Sequence, residues 1–410
     1  MRSQFIPVRK SDIVARLAAD KDLAGEARHE VFAGFCKLLG LTIHYEFFDE
    51  LERMKDAYFH FEPRVAGARP EVATTSEAAY AELIGLLVDV LGRANFIEAP
   101  ADEVERAYRE RGLLPVEVKS HLDDYREIRF FHRGEHVEMV EARDWLGRRQ
   151  PPRQTNVYDD VVLFAAVSPA PAAAGIVHRR HRPAGGVFIK FFHDIASADL
   201  NTLLPDVRVI MNKRDRWVLG LPALVGGVPL VLKLAPTLAL LFLLLGIQLG
   251  YSGTVEQNHL KQALAVMSGA VALGSFVAHQ WLKYQRKALR YLIEIKDSIY
   301  FRNVNNNAGV FDALVGAAEE QEFKEAVLAY RFLSAEPLDK ETLDGRVEAW
   351  LKDQFGVDVD FEVDDGLAKL ERYGLLVRAG NRLSVPSLAE ALSRLDERWD
   401  GYFQYDKPAA

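Results

Sequence analysis

Two groups of polar side chains have residue types that could bind a cation or transfer a proton. The first is His44-Tyr45-Glu46, followed closely by Asp49 and Glu50. On a helix, His44 and Glu46 would face roughly 200° apart, at ~100° per residue. A zinc-binding helix presents two histidines one turn apart, and this stretch has a single histidine. We therefore predict a structural role for these residues and no metal ligand among them.

The second group is the charged stretch from Glu319 to Glu325. Its spacing places Glu320 and Lys324 one helical turn apart, where they can pair on a solvent-exposed surface. Nothing in the sequence connects these acids to a pocket, so we predict a helix surface. The chain has no phosphate-binding loop, no G-x-S-x-G turn and no G-x-G-x-x-G motif after a strand. We predict no catalytic, cofactor-binding or metal-binding residue, and enzymatic activity is the less favoured interpretation.

The amino-acid composition is typical of a globular protein, apart from one strongly apolar segment. The chain has 410 residues, of which 27% are charged and 49% hydrophobic, and a formal net charge of −8. That charge argues against wholesale nucleic-acid binding. The single cysteine, Cys36, excludes an intrachain disulfide and a thiolate cluster for zinc or iron and sulfur. The N-terminal sequence lacks a continuous apolar core and a cleavage site, so we expect no secretory signal.

The apolar segment at residues 217–282 predicts a transmembrane helical hairpin in a lipid bilayer. About 20 apolar residues cover the ~30 Å hydrocarbon core of a bilayer, and this length fits spans at about 231–250 and 262–281. The preceding 217–230 is rich in glycine and proline, which favours an interfacial or re-entrant position. Whether 217–232 is a separate crossing stays open.

Residue types within and around the segment predict its contacts. Aromatic and basic residues at the ends of apolar segments anchor them at the membrane interfaces, and we expect this role for Trp217, Lys233, Trp281 and Lys283. Small residues let membrane helices approach closely, and we expect the second span to pack on the first through Ala265, Gly269, Ala270, Gly274 and Ala278. Basic residues flank the segment on both sides, so we expect both termini in the cytoplasm.

The remaining sequence predicts an α+β integral membrane protein with two soluble regions. Apolar spacing predicts helices in 1–125 and a small β-sheet unit in 126–210, with a hairpin turn at Arg133-Gly134-Glu135. In 283–405 it predicts helices followed by a hairpin and a last helix, an order typical of a winged-helix-like domain. The helix before that hairpin is rich in acids, so we expect protein partners and no nucleic acid there.

Seven stretches, spread over nearly the whole chain, resemble the transmembrane protein 143-like family, a domain of unknown function found in bacteria, plants and animals. They are FIPVRKSDI at 5–13, HYE at 44–46, KFFHDIASADLNTLLP at 190–205, IYFRNVNNNAGV at 299–310, EEQEFKEAVLAY at 319–330, VDFEVDDGLAKLERYGLL at 359–376 and LDERWDGYF at 395–403. The resemblance implies an integral membrane protein with a helical hairpin, and it implies no catalytic residue. Alanine and arginine usage favours a bacterial protein of the cytoplasmic membrane over a mitochondrial one.

These features favour a membrane-anchored interaction or scaffold protein that binds partners through its C-terminal domain. Homo-oligomerisation stays open. One alternative is an oligomeric transporter or channel subunit, because two spans alone enclose no pathway and Lys233 would then line it. The other alternative is a membrane-associated enzyme that uses polar residues near His44 or in the Lys190 to Pro205 segment.

Overall fold

A computed structural model describes residues 3–19, 26–68, 77–109, 117–119, 122–140, 152–169, 183–205, 208–210 and 299–402, with scattered residues between 268 and 298. Several predicted membrane residues lie outside the described residues: Trp217, Lys233, Ala265, Gly269 and Ala270. Gly274, Ala278, Trp281 and Lys283 are described, and all four are helical and exposed. The first predicted span is outside the described residues, so its packing against Gly274 stays a prediction.

Helices make up most of the described structure. In chain order they are α1 Lys10–Ala18, α2 Glu26–Phe59, α3 Pro63–Ala68, α4 Glu77–Arg93, α5 Ala101–Arg109, α6 Ala308–Ala335, α7 Lys340–Phe355, α8 Val363–Arg372 and α9 Leu388–Gly401. Two short 3₁₀ helices cover Leu122–Asp124 and Ser197–Leu203. Side-chain caps explain two of the starts, because Asp339 and Ser387 accept hydrogen bonds from backbone N–H groups in the first turns of α7 and α9.

One helix among the described residues has the length and hydropathy of a membrane span. It covers His29–Val65, which includes most of α2, and its most apolar window has a mean hydropathy of 1.2. The core helix of a soluble protein passes the same test, and 39% of that window is buried inside the protein. Phe35, Leu39, Ile43 and Phe47 are fully buried at helical spacing. This face of α2 therefore packs into the core of the protein.

Antiparallel pairing joins the described strands. In chain order they are β1 Ile97–Glu98, β2 Glu117–Lys119, β3 Tyr125–Val140, β4 Arg153–Val167, β5 Val187–Ala196, β6 Arg208–Ile210, β7 Asn303–Asn306, β8 Val377–Ala379 and β9 Arg382–Ser384. Five of them form one sheet in the order β1-β3-β4-β5-β7, and two further pairs, β2-β6 and β8-β9, lie outside it. β7 follows the predicted membrane segment in the chain, so the sheet includes residues from both sides of that segment.

The predicted hairpin turn at Arg133-Gly134-Glu135 is wrong, because β3 runs through these residues as one strand of 16 residues. Gly134 has a φ of 63°, and a Cβ built there would collide with the Asp159 carboxylate of β4. The glycine therefore leaves room for the Asp159 side chain to approach the backbone of β3. The sequence had suggested a turn at this position.

Both faces of the sheet are buried, and each face belongs to a different apolar cluster. Along β4, Val162 and Phe164 contribute to the larger cluster, whereas Val161 and Leu163 contribute to the smaller one. This division follows from the alternation of side chains along a strand. The larger cluster also contains residues of α1, α2, α4, α6, α7, α8 and α9. The helices before and after the predicted membrane segment therefore share one core.

The C-terminal region contains the elements expected from its sequence, in the expected order. Helices α6, α7 and α8 are followed by the β8-β9 hairpin and then by α9. Gly374, with a φ of 67°, follows the end of α8, and Gly380, with a φ of 63°, lies at the hairpin turn. A winged-helix-like domain stays a prediction, since these elements also pack into the common core.

A close backbone approach joins α8 to α6. A Cβ built on Gly366 would lie 2.9 Å from the carbonyl oxygen of Glu325 and 3.3 Å from the Cβ of Ala329. We expect Gly366→Ala to lower the free energy of unfolding by about 1–3 kcal/mol, because the helices must move apart. Urea unfolding of the purified full-length protein measures this change.

The matched control is Gly345→Ala in α7, where nothing lies within 4 Å of the added Cβ. Alanine has the higher helix propensity, so we expect this variant to be unchanged or up to about 1 kcal/mol more stable. Equal stability of the two variants would contradict close packing at Gly366.

Candidate functional site

Helix α6 turns a row of polar side chains toward the interior of the protein. Gln321, Glu322, Lys324 and Glu325 are all at most 5% exposed. The predicted solvent-facing surface at Glu319 to Glu325 is therefore wrong for most of the stretch. The Lys324–Glu320 pair does form, at 3.8 Å, but the lysine side chain is only 3% exposed. Buried charges need partners, and these partners come from several other elements.

Glu322 belongs to an ionic cluster that we define as Glu46, Glu50, Arg93, Glu322 and Lys369. Arg93 of α4 donates hydrogen bonds of 2.7 Å to Glu322 and of 2.7 Å to Glu50 of α2. Lys369 of α8 pairs with Glu322 and lies 3.6 Å from Glu46 of α2. The guanidinium of Arg93 also stacks 3.8 Å over the ring of Phe47. The ionic cluster thus ties α2, α4, α6 and α8 together.

The residues His44 and Glu46 have separate partners, as expected from their spacing on a helix. His44 is largely exposed and lies 2.8 Å from Glu319 of α6. Glu46 accepts hydrogen bonds from Arg372 at 3.3 Å, Tyr373 at 3.1 Å and Arg398 at 3.3 Å. Both residues therefore connect the N-terminal helices to the C-terminal ones. No group of three metal-binding side chains occurs among the described residues.

Glu325 occupies an enclosed position in the polar row. Its Oε1 accepts hydrogen bonds from Gln321 at 2.8 Å and from Asn95 at 3.4 Å. Burial raises the pKa of Glu325 to about 8, and the nearby acids Asp365 and Glu362 add to the rise. Glu325 is therefore mostly a neutral carboxylic acid at neutral pH.

The first described residues, Ser3 to Arg9, form a segment that we call the N-terminal arm. Lys324 binds this arm through hydrogen bonds. Its Nζ donates to the carbonyl oxygens of Ile6 at 2.7 Å and Val8 at 3.3 Å. Ile6 is fully buried, and the arm also forms a bridge from Ser3 to Val359. Burial lowers the pKa of Lys324 to about 8. The arm is thereby held against α6.

Between the arm, α6 and the sheet lies a cleft of about 360 Å³, which we call the arm cleft. Three of its polar residues form a row across neighbouring strands, since Asp160 of β4 is opposite Arg133 of β3 and opposite His193 of β5. Directly opposed residues in a sheet are close enough to interact, so the strand register creates this group. The polar lining includes Arg9, Arg133, Asp160, His193, Glu320 and Lys324.

Asp160 is shared between its two neighbours. One carboxylate oxygen accepts a hydrogen bond from Arg133 Nε at 2.6 Å, and the other is bonded to Nδ1 of His193. Burial tends to raise the pKa of Asp160, but the hydrogen bond from His193 and the charge of Arg133 outweigh this effect and lower it. The same hydrogen bond raises the pKa of His193.

Of the three residues aligned across the strands, Arg133 and Asp160 are buried, whereas the imidazole of His193 reaches solvent. The side chains of Arg133 and Asp160 are 9% and 6% exposed, and that of His193 is 51% exposed. Arg133 also donates to the carbonyl oxygen of Ala94 at 3.0 Å. An imidazole that bonds a carboxylate through Nδ1 keeps Nε2 as a proton acceptor or donor. The row therefore has the arrangement of a general-base pair.

Neither Asp160 nor His193 belongs to a catalytic motif that can be recognised in the sequence. His193 lies in the Lys190 to Pro205 segment. The enzyme hypothesis pointed to this segment but assigned no chemical role to any residue in it. The usable signal was the position of both residues: each is a titratable group in a strand whose neighbours are largely apolar and buried. Their pairing depends on strand register, which is not visible in the sequence.

These observations define a mixed protein of helices and a five-stranded antiparallel sheet, with a His–Asp pair at a cleft. Residues 158–309 match a family described as "Protein of unknown function (DUF3754)". The match begins within β4, includes Asp160 and His193, and ends at the start of α6. No solved structure matches the chain.

The ionic cluster generates a prediction for Glu46. We expect Glu46→Gln to lower the free energy of unfolding by about 1–3 kcal/mol, because Glu46 accepts hydrogen bonds from Arg372, Tyr373 and Arg398, and a neutral amide accepts them more weakly than a carboxylate. Chemical unfolding at neutral pH measures the change. Glu371→Gln is the control, since its partner Arg378 lies on the surface and both side chains are more than half exposed. An equal loss in both variants would contradict the role of the buried cluster.

Burial of Glu325 generates a pH-dependent prediction. The unfolded chain releases this proton near pH 4.5 and the folded chain near pH 8, so the stability contributed by the neutral acid is lost as pH rises between these values. Glu325→Gln stays neutral. We expect the variant to gain stability over the wild type through this window, by up to about 1.4 kcal/mol per pH unit.

Unfolding free energies of the two proteins at several pH values across that window test the expectation. The control is Glu397→Gln, which changes an exposed acid of α9. A constant difference between wild type and Glu325→Gln at every pH would show that Glu325 is ionised in the folded protein.

Proposed function

We propose that the protein is a membrane-anchored interaction protein, whose flanking regions form one folded body on a single side of the bilayer. The observation that carries this proposal is that the regions before and after the apolar segment 217–282 share one sheet and one core. β7 pairs with β5 in the sheet, and α6 supplies the centre of the core. A body assembled from both regions must lie on one side of a membrane, so the segment between them crosses an even number of times.

The described part of the predicted second span supports membrane contact. Its described residues are helical, and Val271 and Trp281 are 67% and 59% exposed. Leu289 and Ile293, further along the chain, are also about half exposed or more. Apolar side chains that no protein covers are typical of a surface covered by lipid or by another protein. Two spans, at about 231–250 and 262–281, satisfy the even count.

The orientation follows from charge. Basic residues before the first span and after the second favour the cytoplasmic side for the body, with the loop around Ser252 outside. A multi-pass protein of the bacterial cytoplasmic membrane fits this arrangement, or of a mitochondrial membrane in a eukaryote. The resemblance of the sequence to the transmembrane protein 143-like family agrees with such an anchor. Membership of that family is part of the proposal.

The C-terminal elements are the surface where we expect a protein partner. A cleft of about 420 Å³ lies between α7, α8 and the β8-β9 hairpin, with Leu367 and Leu383 in its lining. The ion pairs Lys340–Asp364 and Glu371–Arg378 border it. Mixed charges and the acidic start of α8 favour a protein over nucleic acid. The channel alternative depends on Lys233, outside the described residues, and stays a prediction.

Cysteine labelling tests the topology. Cys36 is buried and its pKa is raised to about 12 by burial, so it should not react, and Cys36→Ala removes it altogether. In that background we place single cysteines at Ser11, Ser252 or Ser393 and add a membrane-impermeant maleimide to intact cells. We expect labelling at Ser252 alone.

The exposed positions Ser11 and Ser393 report on the two regions separately. Both should be labelled together after the membrane is permeabilised, which serves as the control for reactivity. Labelling of only one of them in intact cells would contradict the single folded body as well as the even number of crossings.

A further inference from the structure

The arm cleft contains a set of groups that the proposed anchoring role does not use. His193 presents its imidazole to the cleft, with Asp160 bonded behind it and Arg133 behind Asp160. The next residue, Asp194, has a φ of 53°, which is uncommon outside glycine and occurs often at functional sites. A purely structural ion pair requires neither a solvent-accessible imidazole nor a cleft in front of it.

We infer that His193 is the general base of an esterase site in the arm cleft, with Asp160 and Arg133 as positioning residues, and that the substrate is a small neutral carboxylic ester. This inference goes beyond the anchoring function. Asp160 holds the imidazole in the tautomer whose Nε2 accepts a proton, as the acid does in a serine hydrolase triad. Among the described residues, the lining contains no serine, threonine or cysteine, so water is the nucleophile.

The reaction balances without any further reagent. Nε2 of His193 takes a proton from water while the water oxygen bonds to the ester carbonyl carbon, and the carbonyl electron pair moves to its oxygen. When the tetrahedral adduct collapses, the bond to the alcohol oxygen breaks, and the imidazolium returns its proton to the leaving alkoxide. The products are a carboxylic acid and an alcohol. Arg9, which lines the cleft, is a cation available to the oxyanion.

Charge and size select this class of substrate. The acids of the lining, Asp159, Asp160, Asp194 and Glu320, outnumber its cations, Arg9, Arg133 and Lys324, which disfavours a phosphate dianion. A volume of about 360 Å³ accommodates a small molecule. The side of the cleft formed by Phe5 to Val8 is apolar and suits an acyl or alkyl chain.

Several charged groups face the imidazole and set the pH at which it works. The hydrogen bond with Asp160 on β4 favours the protonated form, with smaller contributions from Asp159 and Asp194, and burial opposes it. The other charged groups that line the cleft are Glu320 and the cations Arg9, Arg133 and Lys324. The net effect raises the pKa of His193 above its usual 6.5. A general base works when deprotonated, so hydrolysis should rise with pH through that raised pKa.

The experiment uses the full-length protein in detergent and p-nitrophenyl acetate as the probe, because an activated ester reports on a basic imidazole in an open cleft. We expect His193→Gln to lower kcat/KM by about 100-fold or more, the range for loss of a general base. His136→Gln is the matched control, since His136 is similarly exposed and paired with Asp159 at 2.8 Å but does not line the cleft. It should hydrolyse the probe at the wild-type rate.

Asp160→Asn tests positioning through a readout that folding alone does not move. We expect the midpoint of its pH–rate profile to shift to lower pH, because the carboxylate that raises the pKa of His193 is lost. A thermal unfolding curve establishes that each variant is folded. Equal rates for wild type and His193→Gln, or an unshifted profile in a folded Asp160→Asn, would overturn the inference.

Discussion

Burial of the polar face of α6 is the constraint on which the rest of this structure depends. Moving an ion out of water costs several kcal/mol even after relaxation, and the side chains of Glu322 and Lys324 are only 6% and 3% exposed. Glu322 finds its counter-charges in Arg93 on α4 and Lys369 on α8, and Lys324 finds carbonyl groups of the N-terminal arm. Some of these partners precede residues 217–282 in the chain and others follow them. The buried charges are therefore paired only when the two regions fold together.

The same constraint organises the sheet. A charged side chain on a buried face can pair most easily with its direct neighbour on the next strand, and Asp160 has two such neighbours, Arg133 and His193. Sharing one carboxylate neutralises the buried guanidinium and leaves the imidazole at the edge of the cleft. Lys324 then completes the lining from α6 while it holds the arm in place. Stability and candidate chemistry therefore rest on the same contacts.

Local patterns in the sequence were sufficient for most of the helices, because apolar spacing and capping residues act over a few positions, but they did not predict β1, β2 or β7. They could not reveal what covers each face. The spacing of Glu320 and Lys324 is the same for a surface pair and for a buried lysine, and the difference lies in Ile6, 318 residues away in the chain. Gly134 likewise suggested a turn, whereas the structure requires it for the approach of Asp159. Contacts between distant segments decided each case.

The position of His193 also connects the cleft to the predicted anchor. β5, which carries His193, lies between β4 and β7, and the pairs with β7 involve Lys190, Phe191 and Phe192, directly before it. β7 is the first described strand after the apolar segment, and α6 begins within two residues of its end. A strand from before the segment and a strand from after it are therefore hydrogen-bonded beside the cleft. Any arrangement of the proposed membrane helices must preserve this pairing, because it joins the strand that carries His193 to the first described strand after the apolar segment.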